Sequence, residues 1–343
     1  MHKQKSNIHI RIALMLAKMD STTIIPAPLV TFVVTTSNQP VEYLVECLSS
    51  ITQLSLNAKE REIILIDDGS EESPIHELAE FIDGIIYLRL PNLGNSVARN
   101  YGMLMAKGKY IQFIEGDDYL LQAPYEHCLD IVRYHQPDIV TFEFGKDAGA
   151  EPSYVLPTPV SGTEYLGNNN ILGSACSYIF RRGIVGSLQF SPNISFGEDE
   201  EFTPQLFLRA ERIFKTNTSP YYNRVNKYAA SQLNDKEKIA LHMDNKLEVI
   251  LNLQKLLDTI PVADRQALNR RIAQLTMDYL CDSIRLKHSL LALNHEIKKL
   301  RKKGLYPLPE KDYTKKYIAF RKMIGTYVGR LALLFFIKKE KNQ

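Results

Sequence analysis

Five short runs rich in β-branched and aromatic residues punctuate the first half of the chain: 29–35 (LVTFVVT), 62–67 (EIILID), 85–90 (IIYLRL), 110–114 (YIQFI) and 138–144 (DIVTFEF). Between them, residues 41–54, 75–82, 96–107 and 125–135 carry apolar side chains at helical spacing. Strands joined through helices run parallel, because a parallel pair needs a long crossover, and strands covered on both faces read as near-continuous apolar runs. The pattern therefore predicts an α/β fold: a mostly parallel sheet with helices on both faces. In such sheets ligands sit beyond the carboxyl ends of the strands, so the informative residues are those that follow each run directly. Asn95-Ser96 offers a helix start and Gly108 a helix stop.

From about 150 to 230 the chain turns loop-rich around a strand-like CSYIF at 176–180, and this is where an acceptor site can be built. Beyond Asp235 the period changes. Ile239, Met243, Leu247, Ile250, Leu251 and Leu257 mark one long amphipathic helix, Pro261 interrupts, and a second runs over about 263–303. These shifts divide the 343 residues into an extension (1–27), a main α/β domain (28–234) and a helical C-terminal region (235–343). The apolar stretch Ile12 to Ala17 is too short for the core of a secretion signal, and Met19 is an alternative start. A cytoplasmic protein is the expectation.

Charge is unevenly placed. Residues 298–343 hold 14 Lys/Arg against 3 Asp/Glu, a charge of +11 within a total of +3, so the rest of the chain carries −8. Nucleic-acid binding calls for a basic groove with interleaved aromatics, and an acidic main body argues against it. A negative lipid surface suits the tail better. Within that tail the apolar run Leu331 to Ile337 cannot span a bilayer, whereas the mixture of Tyr317, Phe320, Tyr327 and that run with Arg321, Lys322, Arg330, Lys338 and Lys339 fits an interfacial basic helix. Packing of the same helix on the domain is the alternative. Cys47, Cys128, Cys176 and Cys281 stand far apart without metal-ligand spacing and read as buried, reduced small hydrophobes.

Asp67-Asp68-Gly69-Ser70 closes the second run, and taken alone it is an ordinary strand-capping turn. Glu115-Gly116-Asp117-Asp118 closes the fourth. Adjacent carboxylates at a strand end repel one another unless a cation sits among them, and oxygen ligands suit a hard divalent ion. Neither GxGxxG nor GxxxxGK[ST] is present, which removes the common alternatives for a nucleotide-binding sheet.

The stretch PNLGNSVARNYGMLMAKGKYIQFIEGDDYL carries Asn92, Gly94, Ala98, Arg99, Asn100, Gly102, Ala106, Gly108, Tyr110, Phe113, Asp117 and Asp118 in one fixed order. With VTFVVTTSN, IDDGS and the later FGEDEEF at 196–202, it resembles glycosyltransferase family 2, over roughly residues 28–231. The resemblance implies a GT-A fold and an inverting enzyme that moves a sugar from a nucleotide diphosphate to an acceptor hydroxyl, in cell-surface polysaccharide synthesis. It implies Asp199 as the general base and Asp117 as the direct ligand of Mg²⁺ or Mn²⁺. The nucleotide sugar would be held by Thr35, Asn38, Asp68, Arg99, Glu115, Gly116 and Arg224, with Asp68 facing the nucleobase and Glu115 the ribose. Asp118 would support the loop. The acceptor would be a saccharide or a lipid-linked saccharide, and for a lipid-linked one the basic tail would let a cytoplasmic protein lie on the inner face of the membrane. The chain departs from the family pattern at Glu115, where relatives carry Asp, at Ser37, where many carry an aromatic, and at Asn226, where the YYxRxR…S pattern formed here by Tyr222, Arg224 and Ser231 has a second basic residue. A catalytically inactive nucleotide-sugar-binding scaffold on the same fold is the alternative those departures raise, but retention of Asp117 and Asp199 favours the enzyme. A nucleotidyltransferase would need a phosphate loop after the first strand, and Thr35-Thr36-Ser37-Asn38 is not one.

Overall fold

The computed structural model describes residues 27–145, 154–224 and 236–338. Residues 1–26 of the extension, including Met19 and the Ile12–Ala17 stretch, and Asn226, Ser231 and Lys339 lie outside the described residues.

Four strands build the parallel half of the main sheet: β1 (Val30–Thr36), β2 (Arg61–Asp68), β3 (Ile86–Leu90) and β4 (Tyr110–Glu115). Between them lie α1 (Val41–Thr52) and α2 (Asn95–Met105). After β4 come the short β5 (Tyr119–Leu120), α3 (Gln122–His135), β6 (Ile139–Thr141), β7 (Phe144–Gly145), α4 (Gly162–Asn168), β8 (Tyr178–Arg181), α5 (Glu198–Phe207), β9 (Ile213–Lys215) and β10 (Tyr221–Tyr222). The main sheet has the order β3-β2-β1-β4-β8-β6-β9, parallel except for β8, which runs antiparallel to both neighbours. The chain winds outward from β1 through β2 to β3 and then returns to place β4 on the other side, so the switch point of the sheet falls between β1 and β4. A small sheet, β5-β10-β7, meets the end of β4, where Glu115 N donates to Tyr221 Oη.

The central strands are largely apolar because both faces are covered, with Thr31 and Gln112 buried among the apolar side chains. Phe32, Val33, Val34, Ile64, Leu65, Ile66, Ile111 and Phe113 are all buried. Helix α2 comes close enough to β1 that a β-carbon on Gly102 would lie 2.2 Å from Val33 Cγ1. Gly102→Ala should therefore destabilise by about 1–3 kcal/mol through overpacking, although alanine favours a helix over glycine by about 1 kcal/mol. Urea unfolding checks the sign, and a gain in stability would mean that the helix shifts at no cost.

Several sequence expectations change in detail. Residues 75–82 form two 3₁₀ turns, Pro74–His76 and Ala79–Gly84, rather than an α-helix, since only Pro74 and Leu78 there are buried and nothing packs a longer stripe. Gly108 does not stop α2, which ends at Met105. It is small because a β-carbon there would meet Thr31 N at 2.6 Å. The run at 138–144 is two short strands, and 176–180 begins as a 3₁₀ turn before β8.

The C-terminal region consists of α6 (Lys236–Leu256), α7 (Val262–Lys287), α8 (Leu290–Lys302), α9 (Lys315–Ile324) and α10 (Tyr327–Phe336). The single helix expected over 263–303 divides because His288 takes a left-handed conformation and Ser289 Oγ accepts from Ala292 N to start α8. These helices share a core of their own, with Leu253, Leu268, Leu280, Ile284, Leu300 and Tyr317 at its centre. The four cysteines are free and buried. Among the described residues no helix is long and apolar enough to cross a membrane.

Candidate active site

Strands β2, β1 and β4 end side by side, with Asp67 in register with Thr36, and Thr35 with Glu115. Gly116 N donates to Thr35 O at 2.8 Å, and a β-carbon on Gly116 would sit 3.0 Å from that of Thr36, so the turn after β4 folds tightly against β1.

The exits of β1 and β2 are knitted together. Asn38, at φ +53°, donates its amide to Ser70 Oγ and accepts from Glu71 N at 2.8 Å, while Ser37 Oγ donates to Asp68 O. Asp67 accepts from Ser70 N at 2.9 Å and Tyr87 Oη at 2.9 Å and pairs with Arg89 at 3.2 Å. The Asp68 carboxylate accepts from the amides of Leu93 and Gly94 at 2.6 and 2.8 Å. Gly69, at φ +74°, lets the chain run against Asn92, whose nitrogen would be 2.4 Å from an added β-carbon. Asp68 thus shapes the 91–94 loop directly, a task sequence spacing did not suggest, and its remaining lone pairs stay at the strand edge.

At the end of β4, Glu115, Asp117 and Asp118 each offer an oxygen within 4.8 Å of the others. Asp118 is bound on all sides: it accepts from Tyr221 Oη at 2.6 Å, Asn223 Nδ2 at 3.1 Å and Arg224 N at 2.8 Å. Burial nevertheless raises it to about 6, with the charge of Asp117 adding to the shift. Lost solvation, and the like charges of Asp118, Asp199 and Asp117, lift Glu115 to about 7 against the pull of Arg99. An all-oxygen trio whose charges disfavour one another is a donor set that a hard divalent cation fits.

Arg99 lies beneath this cluster. It projects from α2 and is 1% exposed. Its guanidinium bonds Asp199 Oδ1 at 2.6 Å, Glu198 Oε1 at 2.8 Å and Glu115 Oε1 at 3.3 Å. Burial opposes its charge, but Asp199 and Glu198 outweigh that and hold it firmly cationic. Glu198 is raised by burial and by Asp199, with Arg99 pulling the other way. The other oxygen of Asp199 accepts from Ala175 N at 3.0 Å. Sequence reasoning set Arg99 beside the nucleotide; in the structure its terminal nitrogens bond Asp199, Glu198 and Glu115.

Glu198 and Asp199 open α5, whose first turn contains four acids. They favour the helix N-terminus as well as facing Arg99. From α7, Arg271 pairs with Glu200, and Arg270 donates to the carbonyls of Leu166 and Asn169 and to Asn170 Oδ1, which also accepts from Gln274. The helical region therefore braces the segment that leads to Ala175. Arg224 donates Nε to Asp117 O at 2.9 Å, pairs with Glu46 and stacks over Tyr43 at 4.2 Å. Tyr221, which the sequence reading passed over for Tyr222, donates to Asp118 and accepts from Glu115 N at 3.1 Å. No local signal marks Tyr221, Arg270 or Arg271, whose partners lie about a hundred residues away or more than seventy.

Residues 31–185 match the model of glycosyl transferase family 2. The chain is 28% identical over 238 residues to the uncharacterized glycosyltransferase EpsJ of Bacillus subtilis, covering 64% of this chain and 68% of that one. It is 27% identical over 201 residues to the minor teichoic acid biosynthesis protein GgaB of the same organism, covering 56% of this chain but only 22% of GgaB. In fold it resembles residues 1–349 of Staphylococcus aureus TarS, solved in complex with UDP-GlcNAc, with a TM-score of 0.63, 17% identity and coverage of 89% and 88% of the two chains.

Proposed function

We propose, from the match of residues 31–185 to glycosyltransferase family 2, that the chain is an inverting transferase of that family, moving a sugar from a nucleotide diphosphate to an acceptor hydroxyl in cell-surface polysaccharide synthesis. One observation carries the reading. Arg99 spans the gap between the acidic end of β4 and the first turn of α5, so a donor-side carboxylate, Glu115, and the proposed base, Asp199, are held by one buried cation.

In this reading Thr35, Asn38 and Asp68 line the nucleoside side of the site, and Arg224 closes its rim. Asp117 with Glu115 would hold Mg²⁺ or Mn²⁺, which when bound neutralises charge on the departing diphosphate. Asp199, fixed through one oxygen by Arg99 and through the other by Ala175 N, takes the proton of the acceptor hydroxyl. The acceptor oxygen bonds to the anomeric carbon as the bond from that carbon to the diphosphate oxygen breaks. Nucleoside diphosphate leaves, and the configuration inverts because attack comes from the opposite face. No side chain forms a covalent bond to the sugar. The main α/β domain, 28–234, supplies these groups, and the helical region, 235–343, braces the acceptor side. We place the protein in the cytoplasm, with a saccharide or lipid-linked saccharide as acceptor.

Product analysis tests the reading. Incubation with a panel of nucleotide sugars and acceptor extract should release nucleoside diphosphate and give a glycoside of anomeric configuration opposite to that of the donor, seen by NMR. Pyrophosphate as product, or retained configuration, would contradict it.

A further inference from the structure

The last helix presents its apolar face outward. In α10, Tyr327 is 63%, Val328 74%, Phe335 83% and Phe336 70% exposed, and Leu331 lies on the same side. At 100° per residue these five fall on one half of the helix. The opposite half holds Leu333, the buried residue of the helix, and Arg330, which donates to Ile324 O at 2.9 Å and to Asn294 Oδ1 of α8 at 2.7 Å. The helix is seated firmly: Thr326 Oγ1 caps it by accepting from Gly329 N, and a β-carbon on Gly329 would lie 2.1 Å from Met323 O of α9. An apolar face held outward by a fixed helix is a surface awaiting a partner.

Charge identifies that partner. From Tyr313 to Lys338 the chain contains no Asp or Glu. Lys338 follows the helix directly, Lys315 and Lys322 are exposed on α9, and Lys298, Arg301, Lys302 and Lys303 are exposed at the end of α8, the two helices against which α10 packs. Aromatic and aliphatic side chains on one half of a helix, with lysines after it and on the helices it packs against, match an interface in which apolar groups enter the acyl boundary and ammonium groups meet anionic headgroups. We propose that the outer face of α10, with these lysines, is a docking surface for an anionic lipid bilayer, the helix lying in the plane of the interface. The inference deepens the lipid-linked acceptor reading by giving the protein its contact with that acceptor's membrane, but it rests on no catalytic residue.

Vesicle flotation of the full chain tests it, using phosphatidylcholine vesicles with and without phosphatidylglycerol. The chain should float with the anionic vesicles and remain below with the neutral ones. Phe335→Ser with Phe336→Ser should abolish flotation, Lys322→Glu with Lys338→Glu should weaken it at least about tenfold, and added salt should weaken it as screening sets in. Release of nucleoside diphosphate from free donor should be the same in all three proteins. If that release is absent everywhere while flotation holds, the catalytic reading fails and the docking surface stands. Absence of flotation, or lipid-independent dimers that the phenylalanine substitutions dissolve, overturns the proposal, the second result assigning the face to another copy of the chain.

Discussion

Arg99→Met is expected to destabilise the protein by about 3–5 kcal/mol at neutral pH, the cost of removing one partner from a buried ionic cluster. The guanidinium side chain is 2% exposed and those of Glu198 and Asp199 only 12% and 13%, so solvent cannot replace it. Methionine fills the space while leaving the carboxylates facing one another. Glu198, raised already by burial and by Asp199, would rise further, which fixes the sign of the pH dependence. A carboxyl with its folded pKa above the unfolded value of about 4 opposes folding when ionised, and does not when the unfolded chain is protonated too. The deficit should therefore be largest at neutral pH and shrink as pH falls toward 4. Lys316→Met, which removes a 3.7 Å pair whose lysine side chain is 69% exposed, should change stability by about 0–1 kcal/mol. Urea midpoints for both variants across pH provide the comparison, and equal effects would mean that Arg99 is solvated.

Asp199→Asn should lower turnover about 10²- to 10⁴-fold, the usual contribution of a positioned general base. The amide keeps the volume of the carboxylate and one acceptor oxygen, so it can satisfy either Arg99 or Ala175 N but not both. The leftover mismatch should cost about 1–3 kcal/mol of stability, less than the loss of Arg99. Donor affinity, measured by calorimetry with nucleoside diphosphate, should survive because the groups proposed to hold the nucleotide lie at or just beyond the ends of β1, β2 and β4 and, for Arg224, after β10, and none is on α5. Near-normal turnover would move the base elsewhere.

How far the sequence discloses this arrangement differs from part to part. The strands β1, β2 and β4 were legible as apolar runs because burial on both faces imposes that composition, and their carboxyl ends located Thr35, Asp68 and Glu115 at one edge. Helix α2 was legible from its period, but the period does not say what meets its inner face. Arg99 bonds residues 16, 99 and 100 positions away, and spacing carries no trace of that. Asp68 shows the same limit, since its carboxylate is engaged by amides from a loop 25 residues on. The break in the long C-terminal pattern at His288-Ser289 was present as a capping residue, outweighed by an apolar rhythm that continues across it. The outward face of α10 was visible only as composition. Which half of the helix packs depends on Leu333, Arg330 and the close approach at Gly329, which are tertiary facts.

The central claim is that acidic oxygens after β4 and Asp199 on α5 together run one metal-assisted transfer. The most direct test is nucleoside diphosphate release from the best donor of a nucleotide-sugar panel, with Mn²⁺ or EDTA, in wild type, Asp117→Ala and Asp199→Asn. The account predicts turnover in wild type with Mn²⁺ that is lost with EDTA and in Asp117→Ala and falls about 10²- to 10⁴-fold in Asp199→Asn. Turnover indifferent to EDTA, or unchanged in either variant, would contradict it.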